Sequence, residues 1–84
     1  MSYIEEQLLL RQRVTILMTD DSLDGTHLHK QYREQWQTLF RSICISINYM
    51  TKALKTGNPN MYAIGRELAN ANKELFKIHT GLSV

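Results

Sequence analysis

The chain has one cysteine, one proline and four glycines in 84 residues, and no apolar run approaches 18 residues. Each shortage excludes something. A single thiol, Cys44, cannot form an internal disulfide or anchor a cysteine-rich zinc site. Without a long apolar run, no membrane-spanning helix is expected. Ten basic and eight acidic residues leave a net charge of +2, too small by itself to call for nucleic acid or an anionic membrane. The opening SYIEEQLLLRQR places its acids before its apolar patch. This reverses the order of a secretory signal, so a cytoplasmic setting is expected.

What is present is ordinary globular material. Apolar residues make up 43% and charged residues 21%, a balance too apolar for a disordered chain. Eighty-four residues make one small domain spanning 1–84, whose core supplies only a few kcal/mol of net stability. Chains of this size often lean on a partner.

Two turn clusters, Asp20–Thr26 and Thr56–Asn60, divide the chain into three helical segments of about 2–19, 26–56 and 59–80. In the first, Ser2 and Glu5 have the spacing of a capping box. Tyr3, Leu10, Val14 and Leu17 share one face, while Leu9 and Ile16 occupy a second and Ile4 and Leu8 a third. That is more apolar surface than one neighbour covers.

The second segment starts at the potential cap Thr26 and ends before Gly57. Leu28, Tyr32, Trp36, Leu39, Ile43, Ile47, Met50 and Leu54 recur at steps of three and four. Over about 30 residues this stripe extends roughly 45 Å. A strand-like alternation, Ile43, Ile45, Ile47 and Tyr49, competes locally. The helical period wins because it continues through both flanks without a turn residue. In the third segment, Asn58 and Pro59 suit the start of a helix and Gly81 its end. Met61, Ile64, Leu68, Ala71, Leu75 and Ile78 alternate steps of three and four, so this stripe is expected in the core, with Leu82 continuing it. The fold expected is all-α: a small three-helix domain with antiparallel neighbours and a long central helix, part of which projects, assembled as a helical oligomer.

Motifs for chemistry are thin. Asp20-x-Ser22-x-Asp24-Gly25 copies the opening of a calcium loop, but Gln31 stands where the closing bidentate glutamate belongs. An acidic connecting turn is the better reading. His27 and His29 are two apart and His79 is remote, so no metal site is expected. Cys44 lies in a charge-free stretch with no adjacent cation to stabilise a thiolate. No catalytic residues, metal or cofactor are assigned, and no enzyme is expected.

Three binding readings remain. The first is a non-enzymatic interaction module, such as an adaptor, inhibitor or small chaperone, that self-associates and docks a helix face on a protein partner. Ile45 and Tyr49 point away from the helix-two stripe, amid the uncharged Gln31, Gln35, Thr38 and Ser42. With Leu9, Ile16 and Phe76 they are the expected interface residues. Gly65 and Ala69, with Asn72 and Phe76 alongside, suit a close helix approach, either within the chain or between chains. The second reading is a nucleic-acid-binding regulator, with Lys30, Arg33, Arg41, Lys52 and Lys55 contacting phosphates. The third is an oligomer that sequesters a small anionic ligand between subunits.

Overall fold

The structure, a computed structural model, describes residues 2–19 and 33–81. It contains helices α1 (Tyr3–Thr19), α2 (Arg33–Thr56) and α3 (Pro59–Thr80), and no strand among the described residues. The Ile43–Tyr49 alternation lies inside α2. The expected start of that helix near Thr26, the calcium-like turn, His27, His29, Lys30, Leu28, Tyr32 and Leu82 lie outside the described residues.

The ends of the helices follow local chemistry. The Glu5 amide donates to Ser2 Oγ at 3.2 Å, and the Ser2 amide donates to Glu5 Oε2 at 3.4 Å, the reciprocal pattern of a capping box. Between α2 and α3, Gly57 takes φ +65°, a left-handed conformation that costs a residue with a Cβ. This lets the Asn58 amide reach the Ala53 carbonyl at 3.0 Å. Asn58 Oδ1 then accepts from the Met61 amide at 3.1 Å, with Pro59 opening the helix. The other end of α3 closes with the Gly81 amide donating to the Lys77 carbonyl at 2.7 Å.

Helix α2 is the spine. Its turn to α3 makes an antiparallel hairpin, and α1 packs antiparallel to α2 and alongside α3. Trp36, Leu39 and Ile43 of α2 meet Leu10 and Val14 of α1 and Phe76 of α3 in one core, flanked by Leu17, Met18, Phe40 and Ile47. Trp36 stacks obliquely on Phe76, with centroids 6.1 Å apart, and meets the His79 ring edge-on at 5.2 Å. Such offset geometry suits the ring quadrupoles. The last turn of α2 projects, leaving Leu54 64% exposed although the periodicity places it in the core stripe.

The larger correction concerns α3. The Met61–Ile78 stripe expected in the core faces outward. Ile64, Leu75 and Ile78 are 56%, 44% and 72% exposed, Ala71 is exposed, and Met61 and Leu68 are half-buried. The buried face is instead Gly65, Ala69, Asn72 and Phe76. Small side chains let α3 approach closely: a Cβ at Gly65 would stand 2.7 Å from Met50 Cγ and 3.2 Å from the Met50 nitrogen and Ser46 carbonyl oxygen. The intramolecular reading of Gly65 and Ala69 is therefore the correct one.

Candidate functional site

Two assemblies in the fold invite a functional reading. The first is a buried polar cluster where all three helices meet. Gln7 Oε1 accepts from Ser46 Oγ at 2.9 Å and from Asn72 Nδ2 at 3.1 Å. Gln7 Nε2 donates to the Ala69 carbonyl at 3.2 Å, and Ser42 Oγ donates to Asn72 Oδ1 at 2.7 Å. Gln7, Ser46 and Asn72 are fully buried. Every group is a neutral amide or hydroxyl, and these groups satisfy one another. The cluster has no charge to move and no nucleophile beside a base. Its effect is structural, fixing the height of α1 against the hairpin. Two lateral contacts on the same side reinforce this: Lys73 Nζ lies 3.2 Å from Glu6 Oε2, and the Arg66 guanidinium lies 5.5 Å from the Tyr3 ring centroid.

The second assembly is the side of the α2–α3 hairpin turned away from α1. Helix α2 presents Ile45 and Tyr49, 47% and 40% exposed, and α3 presents Ile64, Leu75 and Ile78 beside half-buried Met61 and Leu68. On α3 this stripe lies roughly 100° around the helix axis from the buried face. Two depressions run along the seam between the helices. One, of about 440 Å³, has Thr38, Ser42 and Leu75 in its walls and Glu34 and His79 at its end. The other, of about 230 Å³, lies between Tyr49, Lys52 and Met61. Exposed charges border the face: Arg41, Lys52 and Lys55 on the outer edge of α2, Glu67 and Glu74 on the outer edge of α3.

Of the expected interface residues, Ile45 and Tyr49 stand on this face. Ile16 is exposed and Leu9 half-buried on α1, apart from it. Phe76 is a correction: at 1% exposure, against Trp36, it is core. Of the expected phosphate contacts, Arg33, Arg41, Lys52 and Lys55 are exposed and Lys30 is outside the described residues. Periodicity misassigned Ile64, Leu75 and Ile78 to the core. The signal that locates them is the small-residue row Gly65–Ala69, which competes for the interior. Among the described residues no group of three or more His, Cys, Asp or Glu side chains is placed to hold a metal, and no helix is long and apolar enough to cross a membrane.

The chain is thus all-α, with three helices among the described residues and exposed apolar side chains on the α2–α3 side turned away from α1. No known family, no curated protein and no solved structure matches it.

Proposed function

We propose that the protein is a non-enzymatic interaction module that docks the uncovered α2–α3 face onto a helical protein surface. The observation that carries this reading is the row Ile64, Leu75 and Ile78, exposed along α3 beside Ile45 and Tyr49 of α2. A monomer gains nothing from keeping five large apolar side chains together in water. Contiguous apolar surface with a charged border is the pattern of an interaction site. Its ridges and seam match the helix-in-groove mode, in which anchors at steps of three and four enter a complementary surface. Adaptor, inhibitor and small-chaperone roles all use such a face.

The test is site-specific photo-crosslinking in native extract. A photo-reactive residue replaces Leu75, or Gln12 on the outer side of α1. Covalent adducts at position 75 and none at position 12 are expected. Absence of adducts at 75, or equal labelling at both, would sink the reading. Exposure of Arg41, Lys52 and Lys55 along one edge of α2 favours a second reading, phosphate-backbone binding. That mode would weaken steeply with salt, whereas apolar docking would not.

A further inference from the structure

We propose that the occupant of the uncovered face is a second copy of this chain, related by a two-fold axis parallel to the helices, so that α2 of each copy lies against α3 of the other. The inference rests on the interaction-module reading and adds the partner and its orientation.

The charges bordering the face carry the argument. One edge is net basic, with Arg41, Lys52 and Lys55 beside a single acid, Glu34, and the opposite edge carries the acids Glu67 and Glu74; all six are exposed. A two-fold axis parallel to the helices turns one copy over without changing heights along the bundle. The basic edge of each copy then meets the acidic edge of the other, twice per dimer, as an isologous interface requires. A two-fold axis across the helices would instead set basic edge on basic edge.

Height agrees with this. The Ser42–Asn72 hydrogen bond of 2.7 Å levels these residues in the antiparallel hairpin. Arg41 lies one residue from Ser42 and Glu74 two residues from Asn72 toward the same end of the bundle, so they sit within about 2 Å of the same height. The proposed axis preserves height, so Arg41 of one copy faces Glu74 of the other. Lys52 and Glu67 are offset by roughly 8 Å, so they contribute only long-range attraction.

Size also fits. From Glu34 to Lys52 and across two helices the face measures roughly 30 by 20 Å. That footprint approaches the roughly 800 Å² per partner of specific interfaces. The product is an antiparallel four-helix layer made of two hairpins, with each α1 on the outside. It places Ile45, Tyr49, Leu75 and their symmetry mates in a core of the ordinary kind for helix bundles.

The experiment uses the purified full chain, with light scattering for mass and circular dichroism for folding. A mass of twice 9.8 kDa is expected, with Leu75→Asp reducing it to the monomer at unchanged helicity. Arg41→Glu and Glu74→Arg each convert two rim attractions into two repulsions, so each alone should weaken the dimer roughly tenfold. An equimolar mixture of the two variants restores both attractions and should recover a heterodimer. The double variant should recover a homodimer. A wild type monomeric at hundreds of micromolar overturns the second copy, while crosslinks at position 75 to a foreign protein would still stand for the docking face. A dimer indifferent to Leu75→Asp overturns the chosen face. A dimer that Leu75→Asp dissolves, but that the mixed charge variants do not restore, overturns the orientation.

Discussion

The Gln7 side chain reaches across the bundle and donates from Nε2 to the Ala69 carbonyl at 3.2 Å, across a sequence separation of 62 positions. The same amide accepts from Ser46 and Asn72 through Oε1. One glutamine therefore ties α1 to both helices of the hairpin at a single height. This explains why the apolar α1, with Leu8 and Ile16 still exposed, settles in one register.

Gln7→Ala should cost about 2–4 kcal/mol, since it strands the Asn72 amide in the interior, removes the Ala69 carbonyl's partner outside its helix and leaves a cavity. Urea unfolding measures this. A cost below about 0.5 kcal/mol would mean that water replaces the amide and that the cluster does not set the register.

Gly65→Ala opposes two effects. Alanine in mid-helix gains up to about 1 kcal/mol of propensity. The added methyl would meet Met50 Cγ at 2.7 Å and backbone atoms at 3.2 Å, and overpacking costs about 1–3 kcal/mol. Because two of the three contacts are backbone, the clash should win. A lowered melting temperature is expected; a raised one would show that α3 moves off α2 freely.

Trp36→Ala and Phe76→Ala should each cost about 3–5 kcal/mol, as expected for large core aromatics. Ile64→Ser and Ile78→Ser should change the stability of the monomer by only about 0.5 kcal/mol. Thermal unfolding of Leu75→Asp variants carrying these changes isolates the monomer. The reverse ranking would put the Met61–Ile78 stripe in the core, as periodicity alone suggests.

The Lys73–Glu6 pair should contribute little. Its side chains are 31% and 27% exposed, and ion pairs open to water give about 0.2–1 kcal/mol, less at high salt. A double-mutant cycle with Lys73→Ala and Glu6→Ala should return a coupling energy within that range, smaller than the loss from Gln7→Ala.

Helix content, the capping box at Ser2–Glu5, the Gly57–Pro59 turn and the α2 core of Trp36, Leu39, Ile43 and Met50 were legible in the sequence, because each depends on neighbours within a few residues. Helical period and capping chemistry are local. The outward direction of Ile45 and Tyr49 was legible for the same reason, since α2 has one dominant stripe and they lie opposite it.

For α3 the local pattern carried two competing faces, one of large apolar residues and one of Gly65, Ala69, Asn72 and Phe76. Apolar content favours the first. Only the tertiary structure decided for the second. Small side chains there let the α2 and α3 backbones approach, Phe76 meets Trp36, and the buried polarity of Asn72 is offset by Gln7 and Ser42, partners more than 25 residues away in sequence. Periodicity reports how wide an apolar sector is, and that of α3 is wider than α1 and α2 cover. Which part of it reaches solvent depends on where the other helices stand, and that is fixed by contacts between residues distant in the chain.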